Sequence, residues 1–333
     1  MNKTRFEIFC GTGGVGKTTL STSRALYLKE CGHKVALMTI DPSHRLKQLL
    51  NLKNQEGGIV ETIQENLDVL LINPASTLKV LAEKAQIDFT QNSILSTLAR
   101  PFGGMNEIFS AFELYQLYTS QKYDVIVIDT APGEHFIDFL ESSKKMLHFF
   151  DGYIIEIFKI LSPSSRSNLI GKIIQSGTDK LLHYLEKVTA PQFIRDFIEA
   201  VNLFHLTQPL FKEVIPFMEN ELNCSDSLWY LVTSSQQNKN QQGLSLYQKI
   251  SSRIKGRSIL AMNFFLPPEM QSWAPKSAKL KKLKNNLVHN QDQVKQLAHQ
   301  YFDMSLEFPD IFHDNLEDQL QNLIAEWRIH DKR

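Results

Sequence analysis

An α/β fold with a doubly wound, mostly parallel sheet and an inserted α-helical subdomain is what three features of this 333-residue sequence predict. First, short apolar runs of strand length recur at residues 6–10, 34–40, 67–72, 125–128, 229–233, 258–262 and 304–308. Such runs suit strands buried on both faces of a parallel sheet. Second, helical stretches separate them, as a parallel pair requires, because its strands join only through a crossover. Third, residues 76–120 and 142–220 largely lose the strand pattern and carry apolar residues at helical spacing instead.

The first strand, residues 6–10, runs into Gly11, Thr12, Gly13, Gly14, Val15, Gly16, Lys17 and Thr18, which fill the pattern G-x-x-x-x-G-K-[ST]. Glycines let the backbone turn with positive φ so that successive N–H groups face phosphate oxygens, and the helix that follows adds the positive end of its dipole. Lys17 neutralises the β and γ phosphates, the Thr18 hydroxyl coordinates Mg2+, and Thr19 is placed to reach an α-phosphate oxygen. The pattern therefore predicts a P-loop nucleoside triphosphatase core that takes ATP with Mg2+. Residues 19–31 keep Leu20, Ala25 and Leu28 at helical spacing, stop near Gly32, and connect the first strand to the second.

The second strand ends at Asp41, followed by Pro42, Ser43 and His44. Asp41 is the candidate for holding the attacking water near the γ-phosphate. Asp129 closes the run 125–128 at the strand edge where open sheets bind ligands, and is the candidate for holding a Mg2+-bound water. An aspartate at a strand end also serves as a helix cap; two beside a phosphate loop favour the chemical role.

Domain limits follow from the alternation. Residues 1–75, 121–141 and 221–333 read as the nucleotide-binding core, with 76–120 and 142–220 as helical insertions. Within the second insertion, Phe149, Tyr153, Ile154, Ile157, Phe158 and Leu161 form one stripe, and Phe193, Phe197, Val201 and Phe204 another, with a loop at Ser162, Pro163, Ser164 and Ser165. These stripes read either as core faces or as a groove for a partner segment; joint exposure above about 400 Å² would mark the groove. Five lysines between positions 276 and 284 read as a solvated helix face.

Composition narrows the function classes. Lys plus Arg and Asp plus Glu both number 36, so no global charge favours nucleic acid, and no basic arm is present. Cys10, Cys31 and Cys224 are scattered and lack C-x-x-C spacing, which fits a reducing compartment and supports neither a zinc bridge nor a thiolate metalloid site on one chain. The apolar run near the N-terminus is too short for a signal peptide, and no uncharged stretch approaches the ~20 residues that span a bilayer. A cytoplasmic protein, free or peripheral at a membrane, is expected.

The combination of residues 13–19, Asp41-Pro42-Ser43-His44 and Asp129-Thr130-Ala131-Pro132 resembles the arsenite-pump-driving ATPases and the related ATPases that target tail-anchored membrane proteins. Asn263 stands where that family has an adenine-recognising asparagine, and Leu306-Glu307-Phe308-Pro309 resembles its last strand and the loop over the base. The resemblance implies that Asn263 and Pro309 bind nucleotide, that Asp41 and Asp129 lie in the two switches, and that the helical insertions move with nucleotide state. It also implies a homodimer or a heterodimer with a related ATPase, and a membrane protein or hydrophobic cargo as partner. Two departures matter. Thr12 replaces the lysine that in the family reaches the partner's phosphates, and Gly133, Glu134, His135 and Phe136 replace its Thr-Gly-His-Thr. The first leaves an alternative: a nucleotide-binding, hydrolytically weak subunit paired with a complete relative. Glu134 brings negative charge toward the phosphates unless it turns outward, and His135 keeps the family's histidine but reads equally as a packed core residue.

Overall fold

The computed structural model describes residues 3–40, 45–53, 57–88, 91–99, 106–149, 191–267, 270, 272–310 and 315–332. Along the first third of the chain, β1 (Arg5–Gly11), α1 (Lys17–Glu30), β2 (Val35–Thr39) and α2 (Arg45–Leu50) are followed by the hairpin β3 (Val60–Gln64) and β4 (Leu67–Leu71). Helices α3 (Pro74–Lys84), α4 (Ser93–Leu98) and α5 (Asn106–Thr119) lead to β5 (Val125–Asp129), α6 (Glu134–Leu140) and α7 (Ser142–Phe149). After residue 190 come α8 (Pro191–Pro216), β6 (Leu228–Ser234), α9 (Gln237–Ile250), β7 (Arg257–Phe265), α10 (Ala278–Tyr301), β8 (Met304–Pro309) and α11 (Leu316–His330).

Among the described residues, eight strands form one sheet in the order β3-β4-β2-β5-β1-β6-β7-β8. Every neighbouring pair is parallel except β3 with β4. Strand β1 lies between β5 and β6, so its C-terminal end opens where the chain leaves one half of the sheet for the other, which is where ligands bind in such folds. Every residue of β2 and β5 is buried, as both faces of a parallel sheet require. Strand β3 went unread in the sequence because Val60-Glu61-Thr62-Ile63-Gln64 is a half-exposed, mostly polar edge. The one local signal was Asn66, whose φ of 64° turns the hairpin, a conformation asparagine tolerates well.

The chain divides into two compact units: Met1–Ile72, Gln116–Asp138 and Asn220–Arg333 make the first, Asn73–Tyr115 and Phe139–Glu219 the second. In the sheet unit, Phe9 of β1 stacks on Tyr230 of β6 at 4.4 Å, and Trp327 of α11 meets both rings edge-on. Beneath them Glu7 and Arg24, both buried, pair at 2.8 Å, and Arg24 also holds Asp331 at 3.0 Å. Trp327 donates its indole N–H to Ser23 at 2.9 Å, so the last helix is fixed to the helix that follows the phosphate loop.

In the helical unit, Asn73 caps α3 and Pro74 opens it, where a missing N–H costs nothing. Asn92 caps α4, and Asp196 of α8 accepts from both the backbone N–H and the hydroxyl of Ser93. Phe109, Phe112 and Phe211 pack together in this unit's core. Of the predicted stripes, Phe204 is buried and Phe197 half-buried on α8. Tyr153, Ile154, Ile157, Phe158 and Leu161, with the loop at Ser162, Pro163, Ser164 and Ser165, lie outside the described residues. Among the described residues no helix is long and apolar enough to cross a membrane.

Candidate functional site

The phosphate loop is shaped by close approach on two sides. Gly11 ends β1 against the Val232 carbonyl of β6, and a Cβ there would overlap that oxygen. Gly16 caps α1 with φ of 89°, and a Cβ there would overlap the Asn263 amide. Between them Lys17 donates from Nζ to the Thr12 carbonyl at 3.0 Å, with its side chain buried. The ammonium is thus folded back over the turn at the N-terminus of α1, where unpaired backbone N–H groups and the helix dipole favour an anion. Thr18 and Thr19 are buried in the first turn of α1. Helix α1 begins at Lys17, two residues ahead of the predicted start, because the loop's last residues already form its first turn.

Asp129 is fully buried at the end of β5, where its Oδ2 accepts from the Thr39 hydroxyl of β2 at 3.1 Å. The register sets Thr39 and Phe9 on either side of Asp129, so the carboxylate stands beside the strand that carries the loop. The turn after it is tied to that strand too: Thr130 donates its hydroxyl to the Phe9 carbonyl at 2.8 Å, and the Gly133 N–H donates to the Gly11 carbonyl at 3.1 Å. Asp41 lies outside the described residues. The flanking positions are described: the Ile40 N–H donates to the Asp129 carbonyl at 2.9 Å, and Arg45 donates to the Thr19 hydroxyl at 3.3 Å.

Glu134 is exposed and paired with Lys249 of α9 at 2.9 Å, in a pocket that Thr12 and Gly13 of the phosphate loop also line, so a lysine partly offsets its charge there. His135 is exposed beside it, so the packed-core reading of this histidine does not hold; Phe136 is the buried residue, against Trp229.

Asn263 and Pro309 line one pocket with Thr19, Phe264, Asp310 and Gln319. The Asn263 amide donates to the Val15 carbonyl at 2.9 Å, which joins the end of β7 to the phosphate loop. Phe264 adopts φ of 56°, rare for a bulky residue, at the point where β7 slips its register against β8. Burial pushes the Asp310 carboxyl up from its ordinary range.

Lys239, in the first turn of α9, donates from Nζ to the Gly13 carbonyl at 2.7 Å. Lys17 and Lys239 therefore hold the carbonyls of consecutive loop residues. The sequence reading missed Lys239 and Arg45, and no local signal marks either. Cys10, one residue ahead of Gly11, is buried, and burial pushes its thiol up to about 12 against the opposing pull of Lys17. A thiol held protonated is a poor nucleophile and a poor ligand for soft metals.

The family model for anion-transporting ATPases matches residues 4–203. Among curated proteins, the chain is 34% identical over 135 residues to the ATPase GET3 of Malassezia globosa, covering 40% of this chain and 41% of that protein. It is 34% identical over 160 residues to the ATPase ASNA1 homolog of Plasmodium vivax, covering 47% and 41%. The ATPase ARSA2 of Chlamydomonas reinhardtii is 34% identical over 127 residues, covering 38% and 34%. The chain thus spans well under half the length of each of these relatives. With an eight-stranded, mostly parallel sheet that presents a G-x-x-x-x-G-K-T loop at the end of β1, and a family match over more than half its length, this chain belongs to the anion-transporting ATPase family.

Proposed function

We propose that the chain is an Mg2+-dependent ATPase whose nucleotide state moves the helical unit and its contacts with a protein or membrane-associated partner. The observation that carries this reading is Lys17, buried and folded onto the Thr12 carbonyl at the mouth of α1. A buried ammonium at the mouth of α1 can exchange the Thr12 carbonyl for a phosphate oxygen, which makes the stronger, charge-assisted bond. Asn263 and Pro309 would then flank the base, and Thr19 the α-phosphate.

The oxygen donors available here suit Mg2+, a hard cation: the Thr18 hydroxyl and, through a water, the buried Asp129 carboxylate. When bound, the ion would neutralise charge on the β and γ phosphates. Asp41 is the proposed water-orienting group. Thr39 and Thr130 position Asp129 and the turn after it, so loss of the γ-phosphate would be felt along the ties from Gly133 to Gly11 and from Thr130 to Phe9.

Thr12 favours a second reading, a hydrolytically weak subunit of a homodimer or of a heterodimer with a complete relative, because threonine brings no cation to the loop. Lys239 argues for activity without a partner, since it places an ammonium on the adjacent carbonyl. Phosphate release by the purified chain, with and without Mg2+, separates the two. The ATPase reading expects turnover that needs Mg2+ and vanishes in Lys17→Ala; an ATP-binding protein that releases no phosphate until Thr12→Lys is introduced supports the weak-subunit reading.

For cargo, the support is an exposed pair on α8, Leu206 and Leu210, one helical turn apart. Cross-linking to an apolar transmembrane peptide that fails in Leu206→Ser with Leu210→Ser would support hydrophobic cargo; labelling unchanged in that variant would remove this site from the account.

A further inference from the structure

Helix α10 begins as a segment that packs against little of its own unit. Residues 278–283 are all exposed, whereas Gln291, Val294 and Ala298 in the second half of the helix are buried. Leu280 and Leu283 are 43% and 55% exposed, and Met270 and Trp273 just ahead of the helix are 43% and 41% exposed. Lys284 donates to the Trp273 carbonyl at 2.5 Å, which draws the tryptophan segment to the start of the helix. With about 3.6 residues per turn, Leu280 and Leu283 share one face, flanked by Lys279 and Lys284, while Lys281 and Lys282 lie further round. No acidic residue occurs between positions 270 and 291.

We propose that this element docks on a membrane surface rich in anionic lipid, with Trp273, Leu280 and Leu283 entering the headgroup boundary and the lysines lying among the headgroups. Clustered lysines attract an anionic surface, and apolar side chains beside them add burial, the pairing that interfacial helices use. A tryptophan suits the boundary because one part of its ring system is apolar and the other donates a hydrogen bond. The alternatives fit less well. A second copy meeting the same face would bring the same lysines against these, and like charges facing each other are unfavourable. Nucleic acid would satisfy the lysines through its phosphates but leave the exposed leucines without an apolar counterpart. The lysine run alone read as a solvated face; exposure of the leucines and the tryptophan beside it changes that reading.

Co-sedimentation of the full chain with phosphatidylcholine vesicles, with and without phosphatidylserine, tests the proposal. The expected result is binding to the phosphatidylserine vesicles that weakens as salt is raised, and little binding to phosphatidylcholine alone. A variant carrying Lys279→Gln, Lys281→Gln and Lys282→Gln should lose affinity on the order of 100-fold, which corresponds to ~1 kcal/mol for each lysine near such a surface. Leu280→Ser with Leu283→Ser should weaken binding while leaving the lysines in place. Both variants change exposed positions, and an unaltered thermal midpoint checks that each is folded. Equal sedimentation with the two vesicle types by the wild-type chain, an observation that needs no variant, overturns the proposal. So does a solution dimer that the leucine variant dissociates, or binding to duplex DNA in place of vesicles.

Discussion

Lys17 and Lys239 sit on neighbouring carbonyls of one loop, and different consequences follow from removing each. Lys17→Ala leaves the backbone cradle without its ammonium, and ATP affinity is expected to fall by roughly 30-fold or more, equivalent to about 2 kcal/mol for a lost charge-assisted contact. Calorimetry checks this, with thermal unfolding to confirm the fold; affinity unchanged in a folded variant removes Lys17 from the site. Lys239→Gln keeps a donor for the Gly13 carbonyl but loses the charge. If the charge acts on the terminal phosphate, turnover drops by about 10-fold, or ~1.4 kcal/mol of barrier, with ATP affinity little changed and Lys239→Arg active. Equal turnover in all three proteins would mean that Lys239 only steadies the loop. The phosphate loop was legible in the sequence because its function needs contiguous residues whose backbone turns in one place. Lys239 was not, since 226 residues separate it from Gly13 and only the parallel pairing of β1 with β6 brings α9 to the loop.

At the scale of elements, the buried group Glu7, Arg24 and Asp331 ties β1, α1 and the end of α11 together. Burial alone would raise the Glu7 carboxyl, but Arg24 and Arg5, with a hydrogen bond from Tyr230, outweigh it and hold the carboxyl below the ordinary carboxylate range. Because the folded value lies below the unfolded one, this contribution to stability is complete above the unfolded value and is lost as pH falls through the folded one. Glu7→Gln strands Arg24 without its buried partner and should cost about 3–5 kcal/mol near neutral pH. Denaturant titrations should show that gap narrowing as the wild-type protein is taken to acid; a gap constant down to pH ~3, below the usual carboxylate values near ~4, would contradict the assignment. The sequence disclosed seven of the eight strands found among the described residues, since apolar runs buried on both faces announce themselves. It missed β3, whose residues alternate weakly and half face solvent. It also gave no hint of the Glu7–Arg24 pair, because a charged residue inside a strand reads as an interruption until its partner is known.

The whole molecule combines a sheet unit that carries every described candidate site residue with a helical unit inserted after β4 and again after β5. A nucleotide-dependent assembly, with one mass in ATP and another in ADP, is the expected behaviour of the proposed dimer, and light scattering in each nucleotide checks it. A single unchanging mass would leave movement of the helical unit without a dimer to act through. The family was legible from three short motifs because each is a run of contiguous residues, whereas the partner was not, since helical stripes look alike whether they close a core or line a groove. The central claim is that the loop at the end of β1 grips a polyphosphate, and titration calorimetry of the purified chain with ATP and Mg2+ tests it most directly. The account predicts a saturable heat at one site per chain that shifts to roughly 30-fold weaker affinity or beyond in Lys17→Ala. The absence of any heat with ATP, ADP or GTP from a folded wild-type protein would contradict it.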